Sequence, residues 1–346
     1  MTPMEYVKKL RVGWNLGDTM DARVHKSERE KDGTVNPIKQ ETAWHNPVTT
    51  PEMLKMVAEA GFDIFRLPVS WADLIGPAPE YKIDPAFMAR VSEIVDYGFD
   101  NDMTVILNLH HEDWHFPSEE KYPAASEKLQ AVWTQIANHF EPCCDKLIFE
   151  AMNEPRKVKT DVEWNEGDAE GREVVAKLGH DFINAVRATG GNNTTRMLMV
   201  PTYAASSSTG AMEGFIPSGD ANIIASVHAY TPYLFALGDD YTHHEWKPEL
   251  ERDIDELFSE IDRCLLSKGI PVIIGEMGAR KRGENIADRV AWAKYYTKVA
   301  KKYGIPCVWW DNGRTEGPDR WEKFGLLDRK KMEWAFPELV EAFVKG

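Results

Sequence analysis

Cysteine is scarce. The 346 residues hold 4, at Cys143, Cys144, Cys264 and Cys307. No C-x-x-C occurs and adjacent cysteines rarely pair, so the four read as buried thiols rather than a disulfide framework or a zinc site. Long apolar runs are also missing. None exceeds six residues, far short of the ~20 that cross a bilayer. Residues 1–13 carry neither the apolar core nor the small-residue cleavage site of a secretory signal. Positive charge is in deficit, with 41 basic against 56 acidic residues and a net charge of −15. Nucleic acid and anionic membrane both need a basic footprint, so neither is expected as a partner. A neutral or cationic ligand suits this charge better. No low-complexity linker divides the chain, and 43% hydrophobic with 28% charged residues rules out wholesale disorder, collagen repeats and coiled coil.

Tryptophan, by contrast, is abundant, with 12 residues. Large planar apolar faces fill cores, and they are also what sugar rings stack against. Short apolar runs rich in β-branched residues recur at 12–16, 64–69, 104–109, 147–152, 197–200, 223–227, 272–274 and 306–310. Helix-period segments lie between them, such as Phe87, Val91, Ile94 and Val95, or Ile254, Leu257, Phe258, Ile261 and Leu265. Thr50 is placed to cap a helix that starts at Pro51. Strands apolar on both faces belong in a parallel sheet covered by helices. Eight of them alternating with helices is the count of a single (β/α)8 TIM barrel over residues 1–346, with extended loops forming a cleft. A doubly wound open sheet is the alternative. It is disfavoured because Gly13-Trp14-Asn15-Leu16-Gly17 is not the Gly-rich phosphate turn G-x-G-x-x-G.

Barrel chemistry sits at the C-terminal strand ends. Polar residues collect there: Asn15 and Asp18, Arg66, His110-His111-Glu112, Asn153-Glu154-Pro155, His228-Ala229-Tyr230, Gly275-Glu276 and Trp310-Asp311-Asn312. Seven strand ends doing this together mark a functional rim. Glu154 and Glu276, after strands 4 and 7, face each other across one mouth. Opposed carboxylates are what glycosidic cleavage needs, one protonated to assist the leaving oxygen and one ionised to attack or to activate water. Arg66 lies in an apolar run and needs an acidic partner, either as a barrel salt bridge or beside the nucleophile. His110 and His111, adjacent on a strand, should point to opposite faces. So should Trp309 and Trp310, one packing outward and one lining the mouth. Trp133 and Trp292 read as packing, and Trp44, Trp114, Trp164, Trp246 and Trp321 as rim candidates for sugar stacking. A metal reading of the His110–His115 stretch is disfavoured, because H-E-x-x-H is absent.

With these residues in place, the sequence resembles glycoside hydrolase family 5, the retaining cellulase family. The resemblance spans nearly the whole chain. It rests on Phe65-Arg66-Leu67-Pro68, Asn108-Leu109-His110-His111-Glu112, Met152-Asn153-Glu154-Pro155, His228-Ala229-Tyr230, Gly275-Glu276-Met277-Gly278 and Trp309-Trp310-Asp311-Asn312-Gly313. It implies that Glu154 is the general acid and then the general base, and Glu276 the nucleophile. It further implies that Arg66 and Tyr230 hold Glu276, that Asn153 meets the sugar 2-hydroxyl, and that Asn15, His110, His111 and His228 line the same subsite. Trp310 would be the stacking platform. Asp18 stands where many members have Asn, and His45 where Gly is common. The expected activity is retaining endo-β-1,4-glucanase, with mixed-linkage glucan, xyloglucan, mannan or xylan as alternative substrates. A non-catalytic carbohydrate-binding barrel and a metal-dependent hydrolase are the readings from other classes. No cofactor or metal is expected, the partner is a β-glucan polymer or oligosaccharide, and the chain should act as a monomer. Polymeric substrate implies work outside the cell, with imported oligosaccharides in the cytoplasm as the alternative. Glu154 should hold its proton, with a raised pKa from the nearby negative Glu276.

Overall fold

The computed structural model describes residues 1–29, 35–239 and 242–346. Eight parallel strands close on themselves in sequence order. They are β1 (Val12–Leu16), β2 (Ile64–Leu67), β3 (Thr104–Asn108), β4 (Leu147–Glu150), β5 (Leu198–Ser206), β6 (Ile223–His228), β7 (Val272–Met277) and β8 (Cys307–Asp311). Closure is the β1–β8 ladder, which pairs Asn15 with Trp310 and Leu16 with Asp311. A helix follows each strand: α1 (Pro51–Glu59), α2 (Pro85–Asp100), α3 (Tyr122–His139), α4 (Ala169–Ala188), α5 (Thr209–Glu213), α6 (Glu251–Cys264), α7 (Ile286–Tyr303) and α8 (Pro337–Lys345). Thr50 caps α1 as expected, its Oγ1 accepting from Met53 N at 3.4 Å. Among the described residues no helix is long and apolar enough to cross a membrane.

Strand alternation sorts side chains into two cores. Trp14, Phe65, Leu67, Val105, Leu107, Phe149 and Trp309 point outward and pack under the helices. Ile64, Ile106, Ile148, Met199, Ile224, Ile273 and Val308 point inward and form the barrel floor, with Val7 of the short N-terminal helix beneath them. One residue period above that floor, the same inward face changes from apolar to polar, at Asn15, Arg66, Asn108, Glu150 and Ser226, all fully buried. Gly13 is required on the crowded inner face, since a Cβ there would lie 2.8 Å from Ile64 and Val308 side-chain atoms.

Three expectations are corrected. The cysteines are all free, but only Cys264 and Cys307 are buried; Cys143 is half-buried and Cys144 exposed. Strand β5 runs beyond residue 200 to Ser206 with an irregular register, and Ala204 and Ala205 adopt positive φ of 53° and 48°. Strand β3 ends at Asn108, so alternation no longer governs His110 and His111. Their rings meet edge to face with centroids 4.5 Å apart, and both line the same cavity.

Candidate active site

Arg66 is the hub of the barrel mouth. Its side chain is completely buried, and its N–H groups reach four partners. Nε donates to Glu150 Oε2 at 2.8 Å. Nη1 donates to Glu276 Oε1 at 2.7 Å and Asn15 Oδ1 at 2.9 Å, and Nη2 to Asn153 Oδ1 at 2.8 Å. Both sequence readings of Arg66 therefore hold at once: it braces the barrel through Glu150 and sits beside the candidate nucleophile. Arg66 and Asn15 themselves stand behind the reactive surface. Asn15 Nδ2 is committed to the carbonyls of Gly275 and Trp309. Neither residue is exposed, and both hold neighbouring groups of the mouth through the hydrogen bonds above.

Glu276 sits where the β6–β7 and β7–β8 ladders shift register. The irregularity lets it follow inward-facing Gly275 and still enter the mouth. Its second oxygen, Oε2, accepts from the Tyr230 hydroxyl at 3.0 Å. Burial, with Glu276 beside it, pushes the Tyr230 phenol well above its ordinary range, so this hydroxyl stays a donor. Two donors, one of them a cation, thus hold the two oxygens of one buried carboxylate.

Glu154 lies just beyond β4. Its Oε1 is 2.9 Å from His228 Nδ1, and its Oε2 faces the Arg156 guanidinium at 3.5 Å. His228 Nε2 is buried with no partner, which assigns the ring hydrogen to Nδ1, donating to Glu154. Burial pushes the Glu154 carboxyl up. The His228 hydrogen bond and the electrostatic pull of His228, Arg156 and His111 together outweigh that, and the resting carboxyl lies below its ordinary value. This reverses the expectation of a raised pKa, which counted Glu276 but not the donors and cations on the other side.

Ligand atoms of Glu154, His228 and Glu276 all lie within 4.8 Å of one another, so the two carboxylates come into close opposition. Asp21, His110 and His111 form a second cluster with metal-binding donors. In the first cluster both Glu276 oxygens and His228 Nδ1 are already committed to the hydrogen bonds above. Around the pair, Trp310 stacks parallel to His110 with centroids 5.6 Å apart and planes 2° apart. Burial, with His111 and the Arg66 cation nearby, holds His110 well below the usual histidine range. His110 is thus neutral, and the Asn108 amide lies 3.1 Å from its Nδ1. A cavity of about 420 Å³ opens beside Glu154, bordered by His110, His111, Phe116, Arg156 and Val158.

The rim tryptophans divide. Trp309 is fully buried against Trp292 and Phe343, so Trp310 is the member of the pair that faces the mouth. Trp164 and Trp321 are exposed, and Trp44 tilts against His111. Trp114 donates to Glu112. Trp246 is not a rim platform, because it packs on Phe235 and Tyr295. Asp18 and His45 both take positive φ, 53° and 75°. That backbone explains why Asn or Gly would be at home at these two positions.

Sequence reasoning did not single out Glu150, Asn108, Ser226 or Arg156. Glu150 accepts from Ser226 Oγ at 2.6 Å and Asn108 Nδ2 at 3.2 Å as well as from Arg66. A signal was present: Glu150 is a lone charge in an apolar strand, in phase with Ile148, and Arg66 was already short of an acid.

The model for cellulase (glycosyl hydrolase family 5) matches residues 28–316. Endoglucanase B of Neocallimastix patriciarum is 44% identical over 99% of this chain and 71% of its own length. A GH5-4 broad specificity endoglucanase from Ruminococcus champanellensis with bound cellotriose superposes with a TM-score of 0.94, at 43% identity over 99% of this chain and 98% of that one. A family 5 lichenase from Caldicellulosiruptor sp. F32 gives 0.92 at 38% identity, over 99% and 94%. The chain belongs to glycoside hydrolase family 5, the cellulases.

Proposed function

We propose that the protein is a retaining endo-β-1,4-glucanase with Glu276 as nucleophile and Glu154 as acid and then base. One observation carries this reading: the Glu154 and Glu276 ligand atoms lie within 4.8 Å. Retaining pairs stand about 5–5.5 Å apart, whereas inverting pairs leave about 6.5–9.5 Å for a water. In the first step a Glu276 oxygen bonds to the anomeric carbon, the glycosidic C–O bond breaks, and Glu154 gives its proton to the departing oxygen. In the second, Glu154 takes a proton from water and the water oxygen bonds to the anomeric carbon. The ester bond breaks and its electron pair returns to Glu276. Asn153 accepts from Arg66 through Oδ1, which turns its amide N–H groups the other way, toward a sugar 2-hydroxyl. Trp310 supplies the flat face under that sugar.

The two glutamates separate chemically. On an activated aryl β-cellobioside, Glu154→Ala should still form the glycosyl–enzyme and then stall. Azide should restart it and give the β-glycosyl azide. Glu276→Ala with azide should give the α-product. An α-azide from Glu154→Ala would reverse the two roles.

A second reading, mixed-linkage glucan as preferred substrate, is favoured by the lichenase likeness. A reducing-sugar assay across soluble cellulose derivative, mixed-linkage glucan, xyloglucan, mannan and xylan decides between them. The leading reading requires the cellulose derivative to be cleaved to short oligosaccharides.

A further inference from the structure

We propose that Arg156 is a positioning residue for Glu154, holding its carboxylate in place and favouring the anion that activates water in the second step. The proposal rests on the acid/base reading of Glu154 and deepens it. Arg66 is fully engaged behind Glu276, and among the cations bordering the cavity it is Arg156 that lies against the Glu154 carboxylate. Arg156 follows Glu154 by two residues and turns back on it. Its Nη1 donates to the Glu154 carbonyl at 3.0 Å and lies 3.5 Å from Glu154 Oε2. Its Nε donates to Glu163 Oε1 at 3.2 Å, and its guanidinium carbon sits 4.1 Å from the Trp164 ring centroid. Three anchors therefore fix a guanidinium that would otherwise sample many rotamers.

The loop carrying these anchors is itself built in. The Tyr203 hydroxyl accepts from Lys157 N at 2.9 Å and donates to Val162 O at 2.7 Å, and Lys157 Nζ reaches Asp168 at 2.7 Å. Glu154 is thus gripped from both sides, at Oε1 by His228 on β6 and at Oε2 by Arg156.

The charges facing Glu154 decide how this works. Glu276 on β7 opposes ionisation of Glu154, and the Tyr230 hydroxyl lies on that same side. His228 on β6, His111 beyond β3 and Arg156 favour ionisation. In the first step anionic Glu276 helps Glu154 keep its proton. Once Glu276 is esterified its charge is gone, and the fixed Arg156 charge favours Glu154 as base. The acid must be protonated in the free enzyme, so kcat/KM falls as pH rises through its titration. Removing a neighbouring cation raises that titration point.

The test is the alkaline limb of kcat/KM against pH on cello-oligosaccharide. Arg156→Met keeps the stem and deletes the charge, and the limb should move up by about one pH unit. Arg156→Lys should recover at least half of that shift. Glu163→Gln leaves Arg156 in place but removes the anion that shares its charge, so the limb should move down. This variant keeps the test available if Arg156→Met fails to fold. A limb unmoved in both Arg156→Met and Glu163→Gln, with only the melting temperature lowered, would reduce Arg156 to scaffolding and overturn the proposal. An equal shift in the Lys and Met variants would also contradict it. Azide treatment of Glu154→Ala runs alongside. If azide fails to rescue, the acid/base assignment falls; if it rescues while the limbs stay still, only the Arg156 proposal falls.

Discussion

Trp309 and Trp310 are neighbours in sequence with opposite duties. Trp309 is wedged among Trp292, Phe343 and the Arg289 guanidinium, whereas Trp310 stacks on His110 at the mouth. Trp309→Ala should therefore lose about 3–5 kcal/mol of stability, read as a lowered denaturation midpoint. Trp310→Ala should keep its fold and lower kcat/KM on polymer about tenfold, equivalent to about 1.4 kcal/mol of stacking. Exchanged effects would mean the wrong ring faces the sugar. At this scale the two opposed carboxylates were legible, because Glu154 and Glu276 interrupt apolar runs at strand ends and come within 4.8 Å in the fold. Their environment was less legible. The Glu150 and Ser226 partners come from strands far away in sequence, and the downward pull on Glu154 comes from His228 and Arg156, which only the folded barrel brings to its two oxygens.

At the scale of the element, each strand was recognisable because it is buried on both faces and bounded by helical periodicity. The errors fell where regular geometry stops. β3 ends before the two histidines, so a rule for alternating side chains was applied to residues outside the strand. β5 continues past its apolar run because two residues at positive φ re-aim it where the ladder is interrupted after Pro201, and pairing with β6 resumes at Ser206. His45 shows the same physics in a loop. It is exposed with φ of 75°, a conformation that costs a side-chain-bearing residue about 1 kcal/mol or more. His45→Gly should relieve most of this and raise Tm by about 2 °C in calorimetry, with kcat/KM unchanged. A lowered Tm would show that the His45 side chain stabilises the loop.

The whole molecule supplies what no single element can: convergence. Barrel closure brings the ends of β1, β2, β3, β4, β6, β7 and β8 to one mouth, so residues as far apart as Asn15 and Trp310 share a site. Alternation then places a dry aliphatic floor beneath a buried polar layer and leaves the two carboxylates at the top. This is why the fold class and the opposed pair could be read together from eight runs and seven polar strand ends. The exact spacing could not be, because it depends on the register shifts around β7 and on the reach of Arg66. The central claim is that this spacing enforces two displacements at the anomeric carbon. Proton NMR during hydrolysis of a cello-oligosaccharide by the unmodified enzyme tests it most directly, reading the new reducing end before mutarotation. We expect the β-anomer to appear first, with the α-anomer growing only at the rate of mutarotation. Early appearance of the α-anomer would mean a single displacement by water and would contradict the assignment of Glu276 as nucleophile.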